Sequence, residues 1–379
     1  MANIIVLGAG MVGSVMAADL SENHRITLAD LNLKALEKVK SKVDSLQILQ
    51  LDITQKQLLM DAVKPFDLVV CAVPGFLGFE TLKTLIEVGK DVVDISFFPE
   101  NALELNQFAV ENNVTAIVDC GVAPGMGNMI LGYHNEQMQI TDFECLVGGL
   151  PKVKKWPFCY KAPFSPIDVI EEYTRPARYI ENGNIITKPA LSDSEFIEFE
   201  YIGTLEAFNT DGLRSLIYTM SHIPNMKEKT LRYPGHIEYI KALWAAGFFE
   251  THPLDFDGLK ISPREFTSKI LFNDWKLEPE EAEFTVMRIS LKGKNPNEEN
   301  IRIDYDLYDE YNPKTRTSSM ARTTGYTATA AVHLILDGKF KQKGVFPPEL
   351  VGKHPECFVA VMKYLEERGV NYHKSVFTG

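Results

Sequence analysis

The chain of 379 residues carries 39 Lys and Arg against 51 Asp and Glu, a net charge of −12 at pH 7, with a pI near 5.3. Such a balance lacks the cationic surface that displaces counterions from nucleic acid, and no polybasic run suggests a membrane surface. The mix of 45% hydrophobic and 24% charged residues is that of a globular protein, and one core rarely grows beyond about 300 residues, so two domains are expected. The five cysteines form no C-x-x-C pair, so neither a zinc knot nor a disulfide framework is indicated, and a reducing cytoplasm is expected. No Lys or Arg precedes Arg25, so the basic start of a signal peptide is missing. The apolar stretch Leu68 to Phe79 is interrupted by Pro74 and too short for a bilayer.

Residues 3–120 alternate β-rich runs with helical patterns. Runs at 3–7, 24–30, 46–52, 67–73, 91–96 and 114–119 read as strands. The apolar continuity of the first, fourth and last suits a parallel sheet covered on both faces. Helical patterns fill the gaps at 11–21, 33–43, 54–64, 79–88 and 99–112, with Thr54 as an N-cap and Pro99 at a first helical position. This repetition implies right-handed crossovers and a doubly wound α/β sheet of Rossmann type.

The first turn, Gly8-Ala9-Gly10-Met11-Val12-Gly13, follows a strand and opens a helix. Gly8 permits the tight turn, Gly10 lets backbone approach a pyrophosphate, and Gly13 lets helix and strand pack closely. Asp30 lies 22 positions after Gly8 at the end of the next strand, where a carboxylate accepts from the adenosine ribose hydroxyls and repels a 2′-phosphate. No Arg stands in the residues directly after it, so the expected cofactor is NAD. Asp52 ends the third strand and either meets the adenine edge or caps the following helix. Ala72, Val73 and Pro74 end the fourth strand, where backbone lines the nicotinamide side. Asp94, Ser96 and Asp119 end the next two, where doubly wound sheets bind ligands, although Asp94 could equally be buried and hydrogen-bonded structurally.

After Asp119 the pattern breaks into a loop at 120–128, rich in glycine, that marks a domain crossing. Strand signals then dominate, at 142–148, 195–202, 284–291 and 301–308, the last two joined as a hairpin through 295–300. With helices at 166–173, 235–248 and 262–272, they describe a second α/β domain with a mixed or antiparallel sheet. Helical patterns return at 324–336 and 356–368. No H-E-x-x-H, G-x-S-x-G, P-loop or EF-hand loop occurs, and no metal is expected.

The chain resembles the saccharopine dehydrogenase-like family, in particular its branch of L-lysine 6-dehydrogenases. The resemblance is carried by Gly8–Gly13, Ala72–Phe79, Asp94–Phe97, Gly121–Gly125, Val147–Pro151, Tyr160-Lys161, Phe164-Ser165-Pro166, Glu171–Thr174, Leu205–Phe208, Asp211-Gly212, Leu231–His236, Ala321–Thr324 and Gly344–Glu349. It implies a Rossmann domain over 1–123, a substrate-binding and dimerising domain over 124–322, and a segment over 323–379 returning to the first. It also implies a homodimer and an amino-acid substrate: NAD-dependent oxidation of the lysine ε-amine to the 6-semialdehyde, which cyclises to piperideine-6-carboxylate. Relatives that form saccharopine carry an acid where this chain has Ala123 and a cysteine where it has Val147.

Amine oxidation by hydride transfer needs a deprotonated amine and a proton acceptor within reach. The candidate catalytic residues are Asp119, His236 and Lys161; His236 could instead be a cap or core residue at the helix start after 233–235, and beside that helix's positive end it should stay neutral. An amino-acid carboxylate calls for a guanidinium, and Arg232, Arg322 and Arg214 are the candidates in that order. Asp211, like Asp119, could receive the substrate amine. The neighbouring possibilities are reductive amine formation, as in saccharopine or carboxynorspermidine synthesis, and an NAD-binding regulator without turnover.

Overall fold

The computed structural model describes residues 1–378 apart from 164–165 and 279, and the side chains of 166–168 are also left aside. Phe164-Ser165, part of a motif noted above, therefore lies outside the described residues.

Strands β1 (Asn3–Leu7), β2 (Arg25–Asp30), β3 (Gln47–Gln50), β4 (Leu68–Cys71), β5 (Asp91–Asp94) and β6 (Thr115–Ile117) alternate with helices α1 (Met11–Leu20), α2 (Leu33–Lys40), α3 (Lys56–Val63), α4 (Gly75–Glu87) and α5 (Asn106–Glu111). All pair in parallel. β4 is buried along its whole length, as a continuous apolar run covered on both faces must be. Three helix starts differ from expectation, and the first is α4, which opens at Gly75 directly behind Pro74 rather than at 79. α3 begins at Lys56, not Thr54, because Asp52 accepts from the Thr54 N–H, the Thr54 hydroxyl and the Gln55 amide, which holds 52–55 as a turn. The pattern at 99–112 splits into a 3₁₀ turn, Ala102–Leu105, and α5, because Asn101 rather than Pro99 caps the start.

The second unit begins with α6 (Met126–Asn135) and β7 (Gln139–Pro151). It continues through α7 (Pro166–Thr174), β8 (Ala177–Glu181), β9 (Asn184–Lys188), β10 (Glu195–Phe199), β11 (Gly203–Asn209), α8 (Leu216–Thr219), β12 (Asn225–Arg232) and α9 (His236–Ala245). After a small hairpin of β13 (Leu254–Phe256) and β14 (Leu259–Ile261) come α10 (Pro263–Trp275), β15 (Glu283–Lys294) and β16 (Asn300–Glu310). The sheet runs β10-β11-β12-β7-β15-β16, with the β8–β9 hairpin attached to β12. It is mixed, since β12 and β7 run parallel while the other pairs are antiparallel. Sequence reasoning passed over β12, NMKEKTLR, because its charges suggest solvent. The structure instead buries much of it as ion pairs: Lys229 with Glu195 at 2.6 Å, and Arg232 with Glu172 at 2.7 Å.

The chain closes with α11 (Ser319–Leu336), β17 (Gly344–Phe346), α12 (Pro348–Gly352), α13 (Pro355–Glu367) and β18 (Tyr372–Thr378). α11 packs against α1, where Gly325 lies close to Met16. β17 extends the first sheet, giving the order β17-β6-β5-β4-β1-β2-β3. Arg368 and Tyr364 bind Asp19 of α1 at 2.6 and 2.7 Å. The final strand, β18, departs from expectation and pairs with β16 of the second sheet. The C-terminal segment thus ties the two sheets together. Among the described residues, no helix is long and apolar enough to cross a membrane.

Candidate functional site

A cleft of about 550 Å³ runs from the Gly-rich turn, across the carboxyl ends of the first sheet, to the edge formed by β7, α7 and β12. It starts where strand order reverses between β1 and β4, the position at which doubly wound sheets bind nucleotides.

The glycines explain the first end. Gly8 has φ +108° and a Cβ there would fall 2.3 Å from the Ala72 carbonyl oxygen. At Gly13 a Cβ would meet the Gly8 oxygen at 2.0 Å, whereas Gly10 faces open space. Gly10 caps α1 without a side chain, so the first-turn N–H groups are left for an anionic ligand. Asp30 accepts from the Ala9 N–H and the Asn32 N–H, each at 2.7 Å, which anchors the turn and leaves lone pairs facing the cleft. Met11, Val12, Asp52, Ala72, Val73 and Pro74 also line it. These residues fit a dinucleotide: an open cradle for the pyrophosphate, with a carboxylate at the ribose position.

Asp94 and Ser96 do not belong to this wall. Asp94 is wholly buried, its Oδ1 accepting from the Ser96 N–H at 2.8 Å and its Oδ2 without a hydrogen-bond partner among the described residues. Burial pushes its carboxyl up to about 7. The Ser96 hydroxyl turns to the Cys71 thiol at 3.7 Å. Both side chains face the interior beneath the strand ends.

The far end is made of ion pairs. Asp119 lines the cleft and is held by Arg214 through Nη2–Oδ1 at 2.9 Å and Nε–Oδ2 at 3.3 Å. Arg214 also donates to the Phe98 carbonyl and so is occupied as a brace for Asp119, not presented to the cleft. Asp211, also in the wall, is gripped by Arg178 at 2.8 and 2.9 Å. Arg232 is 2% exposed and reaches the wall. Its Nη2 donates to Glu172 at 2.7 Å, its Nη1 to the Leu231 carbonyl and its Nε to Tyr173, while the guanidinium covers the Tyr160 ring at 4.4 Å.

His236 stands behind that guanidinium, 2% exposed and outside the cleft. Its Nδ1 lies 2.9 Å from the Phe158 carbonyl, which can only accept, so Nδ1 carries the proton. Nε2 then accepts from the Tyr173 hydroxyl at 2.9 Å, and Tyr173 accepts from Arg232. Burial, then the Arg232 charge, lowers its pKa to about 3. The ring is neutral, as expected from the helix start, but for a different reason, and it positions Tyr173 instead of meeting a ligand.

Two further candidates lie elsewhere. Lys161 donates to the Asp274 carbonyl at the end of α10. Arg322 pairs with Asp309 at 3.1 Å and donates to the Glu310 and Arg368 carbonyls, joining α11 to β16 and the C-terminal segment. Neither lines the cleft.

Sequence reasoning missed two residues in this wall. Arg175 follows Glu171-Glu172-Tyr173-Thr174. It meets Glu171 at 3.5 Å, lies 5.0 Å from the Phe97 ring, and its Nη1 has no hydrogen-bond partner among the described residues. Glu228 of β12 faces the cleft with Thr230 and Arg232, the three alternate residues of one strand face. That alternation, together with Asp211-Gly212, was the available signal. Ala123 and Val147 also line the wall, so the cleft carries neither an acid nor a thiol at these two positions. The described residues hold no cluster of His, Cys, Asp and Glu that could hold a metal.

A two-domain α/β protein with a dinucleotide cleft at a topological switch point and a polar chamber beyond it belongs to the class of nicotinamide-type oxidoreductases. The sequence comparisons carry this further. Residues 4–117 match the saccharopine dehydrogenase NADP binding domain and residues 121–370 the saccharopine dehydrogenase C-terminal domain. The chain belongs to the saccharopine dehydrogenase family of oxidoreductases. It is 24% identical to the mitochondrial alpha-aminoadipic semialdehyde synthase of Mus musculus over 91% of this chain, and spans 45% of that relative's length. It is 24% identical to the carboxyaminopropylagmatine dehydrogenase of Synechocystis sp., covering 99% of this chain and 98% of that one. The same identity relates it to the NADP-dependent, L-glutamate-forming saccharopine dehydrogenase of Saccharomyces cerevisiae, with 97% of each covered. The fold matches apo saccharopine dehydrogenase from S. cerevisiae with a TM-score of 0.80 at 20% identity over the whole of both chains.

Proposed function

We propose that the protein oxidises the ε-amine of L-lysine with NAD, releasing ammonia and the 6-semialdehyde that cyclises to piperideine-6-carboxylate. The observation that carries the reading is the continuity of the cleft. It leads from a turn anchored by Asp30 to a chamber where Arg175 keeps an unengaged guanidinium nitrogen beside carboxylates. Bound there, the nicotinamide would accept the hydride. Arg175, instead of Arg232, is the group assigned to the substrate carboxylate, because the Arg232 donors are spent on Glu172, Tyr173 and Leu231. The absence of an acid at 123 and a thiol at 147 favours free-amine oxidation over saccharopine cleavage.

The test is the absorbance of reduced nicotinamide. Lysine with NAD should raise it, and NADP should serve poorly. Cadaverine, which has the amines without the carboxylate, should be a weak substrate. Arg175→Lys should raise the KM for lysine with little change for cadaverine, since a lysine keeps the charge but loses the fork. Reductive amine formation is the second reading, favoured by the near full-length match to carboxyaminopropylagmatine dehydrogenase. It predicts consumption of reduced cofactor when an aldehyde and an amine are supplied together.

A further inference from the structure

We infer that Glu228 takes the proton from the substrate ammonium and is the anionic ligand for that amine, an assignment that rests on the oxidation reading above.

The geometry singles it out among the acids of the chamber. Asp119 is held by Arg214, Asp211 by Arg178, Glu172 by Arg232, and Glu171 by Arg264 and Arg175. Glu228 is 7% exposed, yet lines the cleft, and no cation or donor is paired with its carboxyl among the described residues. Its place depends on Gly212: a Cβ at that position would fall 1.9 Å from the Glu228 Oε1, so any side chain there would displace the carboxyl. A buried carboxylate without a partner is costly. A primary ammonium supplies a charge and three donors, which is the complement this position lacks.

The groups facing it set its protonation. Glu172 comes from α7, Asp211 and Arg214 from the segment after β11, Asp119 from beyond β6, and Cys145 from β7. Burial first, then Glu172 and Asp211, push the carboxyl up to about 8, with Arg214 acting in the opposite direction. A free lysine amine titrates at about 10.4, so an acceptor in the low alkaline range is far better matched to it than an ordinary carboxylate. The ammonium N–H bond breaks and its proton goes to the Glu228 carboxylate. The adjacent C–H bond then breaks, its electron pair leaving as hydride to the oxidised nicotinamide. The nitrogen lone pair forms the C=N bond. Water adds to the carbon of the resulting iminium cation, its protons pass to the nitrogen as the aldehyde forms, ammonium leaves, and Glu228 returns its proton to the solvent through the cleft.

The test compares native protein with Glu228→Gln and Glu228→Asp. The glutamine variant should lose about 10²-fold or more in kcat and should lose the alkaline rise in its pH–rate profile, with NAD affinity within about two-fold of native. The aspartate variant should restore the rise at lower amplitude. A readout free of turnover uses cofactor-free protein with ¹³C-labelled glutamate carboxyls. A signal titrating near pH 8 should vanish in Glu228→Gln, and in native protein lysine should shift it to lower pH. Stability supplies a fold control. A carboxyl raised from about 4.5 to about 8 stabilises fully below the lower value and ceases to do so as pH rises through the upper. Native melting temperature should therefore decline more than that of Glu228→Gln across this window. A glutamine variant that keeps the alkaline rise, or a titration that lysine leaves unmoved, overturns the assignment. Native protein that produces no reduced nicotinamide from lysine overturns the oxidation reading instead, while the carboxyl titration still decides whether Glu228 receives an amine.

Discussion

At the dinucleotide end of the cleft, the recognition groups are backbone N–H groups and one carboxylate, all supplied within residues 8–30. At the chamber end, several wall residues depend on a partner far along the chain: Asp119 on Arg214, Glu172 on Arg232, and Glu228 on the missing side chain of Gly212. The first end is a local construction that tolerates change elsewhere. The second is a lattice of buried charges, in which removing one member leaves another exposed to the low-dielectric interior. Substitutions at the chamber end should therefore damage stability and chemistry together, whereas those at the dinucleotide end should damage mainly binding.

Arg232→Met should show the largest effect. It removes the guanidinium that meets Glu172, Tyr160 and Tyr173, and breaking a buried pair from one side costs about 3–5 kcal/mol. Arg232→Lys should lose less, since it retains charge without the fork. Thermal and denaturant unfolding of both variants measures this. If Arg232→Met melts like native protein, the chamber is not the braced lattice described above.

Asp30→Ala sharpens the other side. Hydrogen bonds to a charged acceptor contribute about 1.5–3 kcal/mol, so NAD affinity should fall roughly ten-fold or more, while the cofactor-free protein loses the two backbone bonds that anchor the turn and melts lower than native protein, but by less than Arg232→Met. Discrimination against NADP should weaken in parallel. Titration of both dinucleotides against both proteins gives the ratio, and equal native affinity for the two would remove Asp30 as the selector.

The contrast also explains what could be read in advance. Gly8, Gly10, Gly13 and Asp30 were legible because their spacing is the structure: a turn, a helix start and a strand end in one unit. The parallel sheet was legible from apolar runs such as β4. β12 was not, because Lys227, Glu228, Lys229 and Arg232 look like a solvated segment until the residues packed around them are known. Asp94 stayed open between cleft and core for a geometric reason. Position at a strand end was readable, but the face to which its side chain turned was not, and it faces Ser96 and Cys71 in the interior. Arg322 and Arg214 misled because any buried guanidinium resembles a substrate ligand until its partner, Asp309 or Asp119, is found. Glu228 and Arg175 were recoverable only from the alternation along β12 and from the turn following α7.

A buried acid beneath the dinucleotide end gives a finer test through pH. Burial raises the Asp94 carboxyl from its ordinary value of 3.8 to about 7. Its contribution to stability is complete below the lower value and is lost as pH rises through the upper. Asp94→Asn retains the Oδ1 that accepts from Ser96 but cannot ionise. Its melting temperature should fall less than that of native protein between about pH 4 and pH 8. Parallel declines would mean that Asp94 finds compensation when charged.

Lys161→Met should produce the smallest change. The Lys161 ammonium donates to the Asp274 carbonyl in the last turn of α10, where a cation meets the negative end of the helix. Such contacts at an exposed terminus contribute about 0.3–1 kcal/mol, screened further by salt. The variant should lose no more than that, the loss should shrink as salt is added, and kcat and KM for lysine should stay at native values because Lys161 does not line the cleft. A large fall in kcat without a stability loss would place Lys161 in contact with the substrate, and would show that the chamber rearranges to include residues which this conformation keeps outside it.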